Sequence, residues 1–127
     1  MADLAHQGTT DVLVPNLPAI RITPAVQAQG SRAVEAANNL SAQFNKAPDQ
    51  ALSDFASQNG LRLYRLDVWQ MAERVRTDPA ALGFSNVTTP CDQHRNCDGY
   101  LYWDEVHPIT QAHRRLAEAA VQVLGEP

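Results

Sequence analysis

Thr10-Asp11-Val12-Leu13-Val14-Pro15 is a run of β-branched and aliphatic residues closed by a proline. A short apolar run without alternation marks a strand covered on both faces, the kind found in parallel sheets, so a first strand is expected over about 10–15. Upstream, Met1 to Gln7 reads as the tail of a helix, with Gly8 where a C-cap belongs. Downstream, Asn16-Leu17-Pro18 and Thr23-Pro24 break regular structure, which predicts a long connection over 15–30.

From Ser31, the expected N-cap, to Ser57 the pattern turns helical. Val34, Ala37, Leu40, Phe44, Ala51 and Phe55 form one apolar stripe, interrupted by Pro48, which predicts a break near Ala47. Asn59-Gly60 ends that segment, and a second strand is expected over about 61–67. Asp67 then reads as the N-cap of a short helix with Gln70 at N3, although an acid at a strand's carboxyl end also suits an α/β active site. Asp78-Pro79-Ala80-Ala81-Leu82-Gly83 is a miniature helix, and 84–99 reads as loop. A last helix is expected from Pro108, burying Ile109, Ala112, Leu116, Ala120 and Val123, with His113 beside that stripe. Strands alternating with helices imply an α/β fold with parallel pairing. Two strands alone make a poor parallel sheet, so the chain reads as one partial domain, the back half of an α/β unit.

The 127 residues are 44% hydrophobic and carry a formal charge of −4 with scattered cations. A basic patch that could neutralise phosphates is missing, which argues against nucleic-acid binding. No run approaches the roughly 20 apolar residues of a membrane span. The first ten residues, with Asp3 and His6, do not read as an export signal.

The densest chemistry lies in Tyr100-Leu101-Tyr102-Trp103-Asp104-Glu105-Val106-His107-Pro108. A carboxylate that holds one ring nitrogen of a histidine frees the other to take a proton from a hydroxyl, and Asp104 and His107 are spaced for that pairing. Cys91 and Cys97 are the only cysteines. A disulfide stapling their polar loop is one reading and would fit an oxidising compartment. The string Cys91-x2-His94-x2-Cys97 also offers three zinc ligands, with no evident fourth nearby apart from Asp92 or Asp98, and two free thiols are a third reading.

Several segments in order resemble the GDSL (SGNH) lipases and esterases. They are Val14-Pro15-Asn16-Leu17-Pro18 with Thr23-Pro24, Phe44-Asn45, Asp67-Val68, Gly83-Phe84-Ser85-Asn86-Val87-Thr88 with Pro90-Cys91, and Tyr102-Trp103-Asp104-Glu105-Val106-His107-Pro108. The nearest likeness is to plant GDSL esterases and to bacterial secreted or autotransporter-borne esterases. The resemblance implies a three-layer α/β/α sandwich around a five-stranded parallel sheet, with the two strands here as the fourth and fifth. It implies His107 as general base and Asp104 as the acid that orients it, in an acyl-enzyme cycle on a small-molecule or lipid carboxylic ester, without cofactor or metal. An unperturbed imidazole titrates near ~6.5, which suits that role at neutral pH.

The family's Gly-Asp-Ser block with the nucleophile, and its G-x-N-D block with the oxyanion asparagine, have no match in these residues. Asn16 matches a later segment and reads as a turn residue, and Ser85 matches a loop position with no known catalytic role. The expectation is therefore a C-terminal half, 1–127, from a truncated gene, an internal start or a split product, inactive alone and open to complementation by an N-terminal segment. Trp103 and Phe84 are expected near the substrate, and the whole protein is expected to be secreted, periplasmic or at the cell surface. The competing reading is a non-catalytic binding module that uses the aromatics Phe84, Tyr100, Tyr102 and Trp103 with the Cys91–Cys97 loop.

Overall fold

The computed structural model describes residues 2–125, and the expected helical start at Met1 and the terminal Pro127 lie outside them. A short helix α1 (Ala2–His6) precedes β1 (Asp11–Pro15). β1 pairs in parallel with β2 (Arg62–Leu66), from Asp11 opposite Arg62 to Pro15 opposite Leu66. An exposed ion pair, Arg62 Nε to Asp11 Oδ1 at 2.8 Å, marks the start of that register. The crossover between the strands is helical, so the parallel α/β reading of both strands holds.

The connection after β1 is more structured than its prolines suggest. It contains a 3-10 turn at Ile20–Ile22 and a one-turn helix α2 (Pro24–Gln27). Thr23 caps α2 by accepting from the Val26 amide, and Pro24 sits at N1, where its missing N–H costs nothing. The long helical stretch splits, as Pro48 requires, into α3 (Ser31–Lys46) and α4 (Asp49–Gln58). Ser31 is not the N-cap. Gly30 is, at φ 86°, and its carbonyl receives the Ala33 and Val34 amides.

The expected α3 stripe is also corrected. Leu40 and Phe44 are 65% and 60% exposed, while Ala37 and Ser41 are the buried positions. The small side chains let α3 lie close against α2 and the 3-10 turn. Asn45, one turn beyond Ser41, locks that contact: its carboxamide accepts from the Leu17 amide at 2.8 Å and donates to the Leu17 carbonyl at 2.9 Å.

After β2, Asp67 caps α5 (Val68–Thr77) by accepting from the Gln70 amide at 3.0 Å. A 3-10 turn, Ala80–Leu82, ends in Gly83 at φ 84°. Residues 84–99 are not all loop: β3 (Asn86–Pro90) pairs in parallel with β4 (Tyr100–Tyr102) in a second two-stranded sheet. Its register is irregular between Asn86 and Pro90 because the Asn86 carboxamide takes the Thr88 and Thr89 amides, both at 3.1 Å.

The last helix, α6, runs Thr110–Gly125 and starts two residues after Pro108. Pro108 cannot begin it, because Pro108 bridges antiparallel to Tyr102 and the Ile109 amide donates to the Leu101 carbonyl. Its expected stripe is half-buried along its length. α4 and α6 both pack on β2. The buried cluster is Val75, Phe84, Leu101 and Tyr102, with Ile22, Leu82, Val87 and Ala112 around it, so the core lies beneath β4 and the turn that follows.

Candidate functional site

The turn Trp103–His107 emerges directly from that core. Its base is closed by the Trp103 amide donating to the His107 carbonyl at 2.8 Å and by the Tyr102–Pro108 bridge. A turn this tight leaves inward-facing amides without backbone partners, and an aspartate at its start can satisfy them. Asp104 does so: Oδ1 accepts from the Val106 amide at 2.8 Å and from the His107 amide at 2.6 Å. The chain reversal brings the imidazole back over the same carboxylate, with His107 Nδ1 2.7 Å from Asp104 Oδ2. The D-x-x-H spacing thus has a local cause, since one carboxylate oxygen builds the turn and the other meets the ring. Asp104 caps this turn and not the N-terminus of α6.

The electrostatics follow from those bonds. The His107 amide, then the Val106 amide and the His107 ring, hold the Asp104 carboxyl down to about 2 from an ordinary 3.8. A carboxylate only accepts, so the proton between the two groups belongs to Nδ1. In the neutral ring Nε2 then carries the lone pair. Nε2 has no partner among the described residues, and the His107 side chain is 74% exposed.

Two neighbours, α2 and the Cys91–Cys97 loop, brace the turn from outside. The Ala25 amide, in the first turn of α2, donates to the Glu105 carbonyl at 3.0 Å. The amides of Cys91 and Asp92 donate to the Trp103 carbonyl at 3.0 and 2.8 Å. Arg21 and Glu73 form an ion pair joining the 3-10 turn before α2 to α5, with both side chains mostly covered.

His107 and Trp103 line one cleft of about 670 Å³ with Ile109, His113 and Arg114. Trp103 is 52% exposed there. Phe84 is not brought to this cleft: it is 3% exposed and belongs to the core cluster, as does Tyr102. Burial pushes the Tyr102 hydroxyl up to about 12. An aromatic binding loop therefore has less surface than the sequence suggests. Ser85 lies elsewhere, its amide on the Gly99 carbonyl at 2.8 Å.

Asn16 is more than a turn residue. It donates from Nδ2 to Asp67 Oδ1 at 2.8 Å and accepts the Trp69 amide at 2.9 Å, tying the end of β1 to the start of α5. Cys91 and Cys97 are disulfide-bonded, with Cα atoms 5.5 Å apart. That bond uses both sulfurs the zinc reading needs, and His94 instead lies beside the Tyr100 ring at 5.2 Å between centroids. Among the described residues no group of three or more His, Cys, Asp or Glu is placed to hold a metal ion. No helix there is long and apolar enough to cross a membrane.

Sequence reasoning missed the braces. Thr23-Pro24 could have signalled α2, being a cap followed by an N1 proline, but nothing local tells that α2 touches the turn. Arg114 on the cleft had no signal beyond its place on the helix.

Comparison with known proteins gives two findings. A family model described as GDSL-like lipase/acylhydrolase matches residues 1–120. A GDSL esterase/lipase of Arabidopsis thaliana is 26% identical over 103 residues, covering 68% of this chain and 28% of the relative. The chain thus spans well under a third of the length of that relative.

Proposed function

The chain belongs to the GDSL-like lipase/acylhydrolase family, and from that premise we propose that its Asp104–His107 pair is the acid and base of a serine ester hydrolase. The observation that carries this reading is the 2.7 Å contact of Nδ1 with Asp104 Oδ2, which leaves Nε2 free on a histidine that lines an open cleft. His107 takes the proton of a serine hydroxyl as that oxygen attacks the ester carbonyl, and returns it to the departing alcohol. It then activates water to release the acyl group. Asp104 keeps the ring in the right tautomer and steadies its charged form. Trp103 is the substrate-proximal aromatic, offering a half-exposed apolar face beside His107 to the acyl or alcohol part of a small-molecule or lipid ester.

The serine and the oxyanion donors come, in this reading, from a segment carrying the Gly-Asp-Ser and G-x-N-D blocks, and these residues are the C-terminal half of a three-layer α/β/α sandwich. The half-buried Val12, Leu13 and Val14 in a two-stranded sheet support it, because a parallel sheet of that composition is stable only with both faces covered and further strands beside it. Alone, the chain lacks a nucleophile, and each missing oxyanion donor costs a further roughly 3–4 kcal/mol of barrier lowering. We assign the whole protein to the plant-type and autotransporter-like subgroup and to a secreted, periplasmic or cell-surface location. The disulfide agrees with that location.

A serine-reactive fluorophosphonate tests the assignment. These residues alone should not label, whereas a complex with the segment bearing Gly-Asp-Ser should label and hydrolyse p-nitrophenyl esters, and lose turnover in His107→Ala. Stoichiometric labelling of this chain alone, or full turnover in the His107→Ala complex, overturns it.

A further inference from the structure

We infer that the Cys91–Cys97 disulfide is a positioning element for the Asp104–His107 pair, acting through the backbone of Trp103. The inference rests on the catalytic reading of that pair for its functional meaning, while its geometry stands apart from it. Cys91 is fully buried, and its amide is shared between the Tyr102 and Trp103 carbonyls at 3.1 and 3.0 Å. The neighbouring Asp92 amide adds a third bond, to the Trp103 carbonyl. At the other half-cystine, the Cys97 carbonyl accepts the Tyr100 amide at 3.0 Å. The two half-cystines therefore hold the first residue of β4 and the residue just past its end, and the covalent bond fixes them relative to each other.

Trp103 transmits this constraint. Its carbonyl is held by the cysteine loop, and its amide closes the turn on the His107 carbonyl. A shift of the loop moves the Trp103 peptide and so the base of the turn whose amides Asp104 binds. Beyond those bonds and the His94–Tyr100 ring contact, the loop has few restraints among the described residues. Asp92, Gln93, His94, Arg95 and Asn96 are all exposed, and its internal backbone bond is that of the His94 amide to the Cys91 carbonyl. Cys97 also lines the same cleft as His107, so the bond is adjacent to the site it steadies.

Amide hydrogen exchange read by NMR on the full chain, oxidised and after reduction with a water-soluble phosphine, tests the inference. The expected result is faster exchange, by about tenfold or more, at the amides of Trp103, Val106 and His107, with the Asn16 and Arg62 amides of the other sheet unchanged. The downfield proton resonance of His107 Nδ1 should broaden in the same sample. The Cys91→Ala/Cys97→Ala variant should reproduce the pattern without reductant. Unchanged protection at the three turn amides overturns the inference. So does an equal loss at every amide, or outright unfolding, because the bond then serves overall stability alone. Ester hydrolysis is not read here, so failure of the catalytic assignment would leave this result standing.

Discussion

Replacing Phe84 by alanine separates two roles that a sequence cannot distinguish, a substrate contact and a core anchor. Phe84 is 3% exposed and packs with Val75, Leu101 and Tyr102, with Ile22, Leu82, Val87 and Ala112 alongside. Removing a buried phenyl ring loses its transfer free energy and leaves a cavity, costing about 3–5 kcal/mol. That is a large share of the roughly 5–15 kcal/mol typical of a domain. The cluster lies directly under β4, so collapse into the cavity would drag Leu101 and Tyr102 with it, and the upper end of the range is expected. With a urea slope near ~2 kcal/mol/M, the midpoint should fall by about 1.5–2.5 M. Urea unfolding followed by tryptophan fluorescence and far-UV circular dichroism is the assay, with Phe84→Leu as the milder companion at about 1 kcal/mol. A midpoint shift below ~0.5 M for Phe84→Ala, coincident with an unchanged circular dichroism signal, would refute the core assignment and return Phe84 to the substrate's side.

Asp104 should titrate near 2 by carboxyl carbon NMR, against an ordinary 3.8. The folded value lies below the unfolded one, so the turn's contribution is complete above about 3.8 and disappears as pH falls through about 2; a midpoint at the ordinary value would contradict the two amide bonds. Asn45→Ala removes both bonds to Leu17 and should cost about 1–3 kcal/mol in chemical denaturation, with Asn45→Asp recovering only the accepted one. Gly99→Ala should destabilise by about 1–3 kcal/mol, because Gly99 has φ +78° and a Cβ there would fall 2.4 Å from Ser85 Oγ; a thermal midpoint equal to the parent's would show that the β3–β4 connection is softer than it looks.

What the sequence made legible was whatever is encoded within a few residues. Asp11–Pro15 announced itself by its apolar run, the break between α3 and α4 by Pro48, and the start of α5 by Asp67 with Gln70. The Asp104–His107 contact was legible for the same reason, since both partners lie within one turn. The misreadings are all matters of who lies opposite. Periodicity found an apolar stripe on α3, but Leu40 and Phe44 face outward because nothing among the described residues covers them, and the close neighbour accepts only Ala37 and Ser41. β3 hid behind two exposed threonines and an asparagine that diverts two of its amides. Pro108 looked like a helix start by residue type, yet pairing with Tyr102 delayed the helix to Thr110.

The turn from Trp103 to His107 closes on itself, with its acid, its base and the amide bonds between them spanning five consecutive residues. Bringing these groups together therefore requires no long-range search, and the entropy of loop closure is close to its minimum. Contacts of such short sequence separation form on the microsecond scale of a hairpin, ahead of the parallel pairing of Asp11–Pro15 with Arg62–Leu66, which must wait for a crossover of more than forty residues. On this account the Asp104–His107 contact is among the earliest native contacts to form, and the slow step is the pairing of the distant strands around a turn already assembled.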